Sequence, residues 1–560
     1  MSGTTPGTSS PSLLSSSAVM AAGTIVSRLS GFVRGILLAA ALGVGLHADV
    51  FNIANTVPNM LYILLAGGVV NAVLVPQLVR SMKNDEDGGE AYTNRIITLA
   101  ALFLGIVTIA LVIGAPWLMR LFLDPSFFDP SRSAQLESVV DFARYCLPQV
   151  FFYGMFVLVG QILNSRQKFG PMMWAPIANN IVAVAILTVY LLTLGPAKGA
   201  EKHGGFATGA EALLGIGSTM GIVVQLLVLL PYLKAAGFSY RPRFDFRGSG
   251  LGHTFRLGVW TVLFVVVNQI AYTVVVRLAS SGTVDNLPRA GGATEGTGYT
   301  IYSNAFLLAM VPHAIITVSL ATAMLPMLSS YAADGKLSEV GSAVSSTLRS
   351  AYALVIPVAV MFSVMSVDIA NVIWGYGSAA ADFENFAPSL ALFGIGLVLF
   401  TAHYLMLRGF YALERTRLVF FIQCGIALTN IVAAIVLTLD APPAEIAPRL
   451  VIAYACSYAV GAVTSYVLLS RTVGGLAGRR LVRFLVRLVI ALGISAAAAW
   501  GLRELMVELV PGTGKLHAVL DLAVVGVGFF AIYLAMARLL RITEVTDVMR
   551  LATRRLTSRK

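Results

Sequence analysis

Residues 17–43 read SAVMAAGTIVSRLSGFVRGILLAAALG. Apart from Arg28 and Arg34 the stretch is uncharged, and it is long enough to cross a hydrocarbon layer about 30 Å thick. An arginine at the centre of a membrane helix costs about 3 kcal/mol on insertion scales, so a lipid-facing pair would cost about 6 kcal/mol. The pair is tolerable where it faces a wet cavity or an anionic ligand. The segment therefore reads as a transmembrane helix with a functional polar face.

The rest of the chain extends that reading. Of its 560 residues, 57% are hydrophobic and only 12% charged, with a mean hydropathy of +0.81. A soluble domain carries about 25% charged residues. Apolar stretches of membrane-spanning length recur, centred near Gly31, Ile63, Val107, Phe152, Val182, Val223, Val265, Ile315, Val358, Val398, Ile426, Tyr458, Leu492 and Val527, which gives about fourteen spans. The stretches are continuous rather than alternating, which excludes a β-barrel. The fold class is an all-α polytopic membrane protein.

A net charge of +12 invites a nucleic-acid reading, but the placement of the charges opposes it. With the N-terminus in the cytoplasm, the inside loops collect Arg80, Lys83 and Arg95, then Arg241, Arg243 and Arg247, then Arg479, Arg480 and Arg483. The C-terminal tail adds Arg550, Arg554, Arg555, Arg559 and Lys560. This is the positive-inside pattern, with both termini cytoplasmic and no nucleic-acid partner. Residues 1–16 are rich in Ser, Thr, Gly and Pro without a basic n-region, so a short disordered cytoplasmic tail is expected, not a cleaved signal peptide. Cys146, Cys424 and Cys456 all lie in apolar stretches and match no metal-site or disulfide spacing.

The chain also repeats itself. Asn164-Ser165-Arg166-Gln167-Lys168 precedes a span containing Asn180-Ile181-Val182-Ala183, and Leu413-Glu414-Arg415-Thr416-Arg417 precedes one containing Asn430-Ile431-Val432-Ala433. Leu74-Val75-Pro76-Gln77-Leu78 likewise answers Met324-Leu325-Pro326-Met327-Leu328. The expected organisation is two six-span units, residues 17–235 and 236–471, then spans thirteen and fourteen within 472–541 and a basic tail at 542–560. An even number of spans keeps both units in one orientation. Two pseudo-symmetric lobes about an axis along the membrane normal, with a cavity between them, follow from that.

At about 100° per residue, Ser27, Ser30, Gly31 and Arg34 share one helical face, and Arg28 lies roughly 120° from Arg34. Planar guanidinium forks suit phosphate oxygens, so Ser27, Arg28 and Arg34 are the candidate substrate-binding residues for a phosphorylated lipid head. Asp49, at the outer end of span two, either caps its own helix or pairs with an arginine of span one. Pro58-Asn59 and Gly67-Gly68 suggest a bend, and with Asp49 form the candidate gating set. Asp368, His313 and His403 are the candidate ion-coupling residues, although a satisfied structural partner is the ordinary reading of each. The chain has no Walker loop, HExxH or plausible GxSxG, so neither ATP coupling nor enzymatic chemistry is expected.

Several strings resemble one family. Ser27-Arg28 with Gly31-Phe32-Val33-Arg34, Ala48-Asp49-Val50-Phe51, Val57-Pro58-Asn59, Leu74-Val75-Pro76, Asn164 with its basic followers, and Arg408-Gly409-Phe410-Tyr411-Ala412 are similar to the MurJ (MviN) lipid II flippases of the multidrug/oligosaccharidyl-lipid/polysaccharide exporter superfamily. The resemblance covers nearly the whole chain. It implies a bacterial cytoplasmic (inner) membrane protein that moves undecaprenyl-pyrophosphate-linked peptidoglycan precursor outward. It assigns a cavity role to Ser27, Arg28 and Arg34 and a gating role to Asp49, and suggests that spans thirteen and fourteen form a groove for the lipid tail. Two family cations are absent: neutral Tyr62 or Ile63 stands at one position, and Phe306 or Leu307 at the other. Sodium-coupled members carry an acid in span seven, where this chain has Asn268 and Gln269.

Alternating access is the expected mechanism, with no cofactor and with membrane potential or an ion gradient as the energy source. Membrane lipids surround the protein and cell-wall synthesis proteins are candidate partners. Alternatives are a flippase for another lipid-linked oligosaccharide, a drug/cation antiporter, which would want acidic cavity residues, and a polyprenyl-phosphate enzyme, which would want a metal-binding carboxylate cluster.

Overall fold

The structure, a computed structural model, describes residues 11–64, 81, 87, 89–166, 168–198, 205–207, 209–245, 251–284, 297–509, 512 and 514–546. Among these the regular elements are all helical. The first set comprises α1 (Pro11–Leu42), α2 (Leu46–Ile63), α3 (Glu90–Ile113), α4 (Ala115–Phe122), α5 (Ser133–Cys146), α6 (Gln149–Ser165), α7 (Gly170–Thr193), α8 (Ala210–Leu227) and α9 (Leu229–Ala235). The second comprises α10 (Leu251–Val284), α11 (Tyr299–Pro312), α12 (Val318–Ala333), α13 (Leu337–Val364), α14 (Ser366–Trp374), α15 (Phe386–Ala412), α16 (Thr416–Thr438) and α17 (Ile446–Val473). A final pair follows, α18 (Gly478–Leu509) and α19 (Lys515–Leu539).

Among the described residues, twelve helical stretches are long and apolar enough to cross a membrane. They contain the twelve expected centres from Val107 to Val527. The first two expected spans fall on α1 and α2, and the second runs toward residues 65–80, outside the described set, as do Gly67 and Gly68. Their outward surfaces are apolar: Ile106, Ile109 and Ile113 of α3 are each more than 60% exposed. In water such a surface would aggregate, whereas in a bilayer it meets acyl chains while the helices satisfy their own backbone polar groups.

Packing divides the helices. In the first set α1 lies on α7, α7 on α8, α2 and α8 on α5, and α3 on α6. In the second, α15 lies on α13 and α17, α16 on α17 and α10, and α11 on α15. The pair α18–α19 packs on α13 and α14. The two larger sets meet where α2 and α4 touch α10, α2 touches α11, and α1 reaches α14 and the short turn Gly377–Ala379. The contacts of α1 and the Asp49–Thr283 hydrogen bond lie around the C-terminal end of α1 and the N-terminal end of α2, called here the Asp49 end, while Gln269 Nε2 donates to Met60 O (3.2 Å) nearer the other end of α2.

Candidate functional site

A cavity of about 690 Å³ lies between the two larger sets. From the first set come Arg34 of α1, Asn52, Asn55 and Asn59 of α2, Gln149 and Tyr153 of α6, and Asn180 of α7. From the second come Asn268, Gln269 and Tyr272 of α10, Tyr299, Tyr302 and Asn304 of α11, Gln423 and Asn430 of α16, and Tyr454 and Tyr458 of α17. Among the described residues Arg34 is the one charged residue of the lining, which includes no carboxylate. A guanidinium in a wall of amides and phenols provides neutral hydrogen-bonding groups around one fixed positive charge.

The position of Arg34 is set locally. Asn180 Nδ2 donates to Ser27 O (3.0 Å) and to Ser30 Oγ (2.9 Å), and Ser30 Oγ donates to Ser27 O (2.9 Å). Gly31 meets Asn180 at this crossing, where even an added Cβ would lie 3.5 Å from its amide nitrogen. The stitch holds this turn of α1 against α7, one turn before Arg34. Arg34 makes no hydrogen bond or ion pair to any described residue, so its donors remain available. Ser27 contributes its carbonyl to the stitch and is not part of the lining. Arg28, about 9 Å along the axis and on another azimuth, is exposed and also lies outside the lining. The structure thus brings one of the two arginines to this cavity.

Asp49 closes one end of it. The residue is fully buried, and its carboxylate accepts from Thr283 Oγ1 (2.7 Å), Tyr299 N (3.0 Å) and Thr300 N (2.6 Å). It caps neither its own helix nor an arginine of α1. It caps α11, a helix of the opposite set, whose first N–H groups have no intrahelical acceptor and attract negative charge. Around it Asn52 Nδ2 donates to Thr300 Oγ1 (3.0 Å), Thr56 Oγ1 lies 2.6 Å from Tyr299 Oη, and Tyr272 Oη lies 2.8 Å from Tyr299 Oη. Pro58 is buried within α2, and Asn59 is exposed on the cavity wall.

The candidate ion-coupling residues lie elsewhere. Asp368 of α14 sits 3.5 Å from Arg503 of α18. His313 Nδ1 lies 3.3 Å from Thr401 Oγ1, and His403 Nδ1 lies 2.9 Å from Ser465 Oγ, both inside the second set. None of the three is part of the cavity lining. Among the described residues no group of His, Cys, Asp and Glu could hold a metal ion. Most of the amides and tyrosines of the wall were not singled out from sequence, although an Asn or Gln inside an apolar span is a signal that could have found them.

A family model described as "Lipid II flippase MurJ" matches residues 38–519. The chain belongs to the MurJ lipid II flippase family. It is accordingly a multi-pass membrane transporter and not an enzyme. A Rhizobium tropici protein described as "Probable lipid II flippase MurJ" is 27% identical over 403 residues, 70% of each chain. Among solved structures, a lipid II flippase MurJ in an inward closed conformation aligns over 93% of this chain and 99% of its own, with TM-score 0.69 and 16% identity. An inward-facing multidrug resistance MATE family transporter aligns over 81% and 98%, with TM-score 0.62 and 15% identity. Both likenesses show the fold. Ile63, Phe306 and Leu307 line the cavity as neutral groups, and Tyr62 packs on Tyr153 with ring centroids 4.7 Å apart. Asn268 Oδ1 accepts from Gln423 Nε2 at 2.7 Å, an uncharged amide pair.

Proposed function

We propose that this chain carries lipid II, the undecaprenyl-pyrophosphate-linked disaccharide pentapeptide, from the cytoplasmic to the outer leaflet of a bacterial inner membrane by alternating access. One observation carries the reading: among the described residues, the cavity between the helical sets is lined by a single free guanidinium with amides and phenols, and by no carboxylate. A diphosphate finds a bidentate partner in Arg34. Sugar and peptide groups find neutral donors and acceptors in the walls, and the long tail stays in lipid. A drug cation would meet an uncompensated positive charge, which disfavours the antiporter alternative.

The distribution of basic residues supports placing the Asp49 end outside and both termini in the cytoplasm. In that orientation the present conformation is sealed outward. Binding of the head, release of the Asp49 cap and rocking of the two sets would expose the cavity to the outside, where cell-wall synthesis proteins consume the substrate. An inside-negative potential favours return of the empty cationic cavity, at about 2.3 kcal/mol per charge per 100 mV. Should an ion gradient contribute, His313, His403 and Asp368 are the intramembrane groups available to couple it.

The test uses cells depleted of their own lipid II flippase. Arg34→Ala should reach the membrane at wild-type levels, leave lipid II on the inner leaflet and abolish its cleavage by an externally added enzyme. Arg28→Ala should have the smaller effect. Normal growth and external cleavage with the Arg28→Ala, Arg34→Ala pair would refute the mechanism.

A further inference from the structure

The repeated string Asn-Ile-Val-Ala serves two different ends in its two copies. In α7, Asn180 is spent on structure, its amide donating to Ser27 O and Ser30 Oγ. In α16, Asn430 lines the cavity, and its Oδ1 is buried without a hydrogen-bond partner among the described residues. The neighbouring helix α10 packs on α16, but among the described residues it gives Asn430 Oδ1 no counterpart to the serine stitch. On the adjoining helix α17, Tyr454 also lines the cavity, and its hydroxyl is likewise buried and unpartnered. Tyr454 is only 6% exposed, and its ring is wedged among Phe306, Phe393 and Tyr458, at centroid distances of 5.7, 5.6 and 4.7 Å. Tyr454 Oη makes no hydrogen bond to these neighbours, the Tyr458 hydroxyl included, or to any other described residue.

Buried polar atoms are nearly always paired, because an unpaired one loses its bonds to water and gains nothing. Two such atoms belong to residues on adjoining helices that both line one cavity, on the set opposite Arg34, and together they call for a shared ligand. We propose that Asn430 and Tyr454 form a recognition subsite for the uncharged glycopeptide part of the head, separate from the diphosphate site at Arg34. Asn430 Oδ1 accepts from an N–H or O–H of an acetamido sugar or peptide. Tyr454 Oη donates to, or accepts from, a neighbouring carbonyl or hydroxyl. The subsite rests on the lipid II reading and adds to it the part of the substrate that the second set recognises.

The experiment compares two ligands on the purified full-length protein in nanodiscs. One is lipid II; the other is undecaprenyl diphosphate, which has the tail and the diphosphate but no glycopeptide. Tyr454→Phe and Asn430→Leu each remove the polar group at nearly constant shape. Each should weaken lipid II binding about five- to tenfold, the scale of one lost hydrogen bond, and leave undecaprenyl diphosphate binding unchanged. The thermal midpoint should hold or rise, since each substitution removes an unsatisfied buried atom, whereas a structural role would lower it. Arg34→Ala should weaken both ligands. Unchanged lipid II affinity in both variants, or parallel loss of both ligands, overturns the subsite while leaving the transport reading intact. Wild-type protein that binds neither ligand, or an Arg34→Ala variant that binds both normally, overturns the transport reading and the subsite with it.

Discussion

Gly298 lacks a side chain where Asp49 needs the space. Its backbone, at φ −114 and ψ −157, is extended and open to any residue, so the constraint is steric. A Cβ there would lie 1.9 Å from Asp49 Oδ2 and 2.5 Å from Thr283 Cγ2. Gly298→Ala should therefore push the carboxylate off the N-terminus of α11 and leave two N–H groups uncapped. Hydrogen bonds to a charged group are worth about 1.5–3 kcal/mol each, so the sealed state should lose roughly 3 kcal/mol or more. The expected outcome is failure to rescue flippase-depleted cells despite normal membrane levels of the variant, with Asp49→Asn milder because it keeps the shape and one acceptor. Rescue at wild-type efficiency by Gly298→Ala would show that the cap is dispensable. The sequence marks Asp49 as unusual, an acid inside an apolar span. It does not mark its partners, because the groups that need the charge are backbone N–H groups about 250 residues away. Arg34 was legible for the same reason as Asp49, and the different surroundings of Arg28 were not, because a helical wheel gives azimuth without saying which azimuth the second set faces.

At the scale of elements, the spans were legible because long apolar runs admit little else. Their interruptions were less so. Expected span four is two helices, α5 and α6, separated at Leu147 and Pro148, where proline cannot donate to the ladder. Expected span eight carries a π turn at His313–Thr317 just after Pro312. The connector from α9 toward α10 was invisible as structure, yet it is laced along α3. Arg241 N donates to Asn94 Oδ1 (2.8 Å), Arg243 N donates to Thr98 Oγ1 (3.1 Å), and the Arg95 guanidinium bonds the Asp245 carboxylate. That hydrogen bond from Arg95 holds the exposed Asp245 carboxyl below the usual carboxylate range. A carboxyl lowered on folding stabilises the bound connector above its ordinary titration range, near pH 4, and loses that contribution as pH falls through its lowered value. The lacing should therefore be complete at neutral pH and loosen only in acid. Hydrogen exchange of residues 238–245 reads this directly: wild-type protection should hold from pH 8 to 5, and Asp245→Asn should show faster exchange already at pH 7. Equal exchange in the two proteins at pH 7 would mean that the backbone bonds to Asn94 and Thr98 suffice.

For the whole molecule, the repeated strings pointed to two units with a cavity between them, and the packing has two helical sets meeting around one. The seal at the Asp49 end escaped sequence reading, because much of it rests on backbone groups of small residues. Within the first set Ala197 N donates to Ala41 O (3.1 Å), and across the seam Ser378 Oγ donates to Ala197 O (2.7 Å) and Gly377 lies against Ala40. Small residues in loops carry no chemical signature of such a contact. Gly377 has φ +54, and a Cβ there would stand 2.3 Å from Ala40 O. That oxygen belongs to the backbone of α1, so it cannot give way as a flexible side chain would, and only separation of the two sets relieves the clash. Gly377→Ala should therefore penalise the sealed conformation and spare the one open at this end, each 1.4 kcal/mol moving the population about tenfold. The readout is an Asn52→Cys reporter on the cavity wall, in a chain with Cys146, Cys424 and Cys456 replaced, exposed to a membrane-impermeant maleimide outside whole cells. Labelling should rise several-fold with Gly377→Ala. Gly335→Ala is the control: it has the same left-handed backbone strain, at φ +71, but open space around its Cβ, so its labelling should match the parent. A rise in both variants would trace the effect to local strain, and a rise in neither would mean that the Gly377 contact does not hold the end shut.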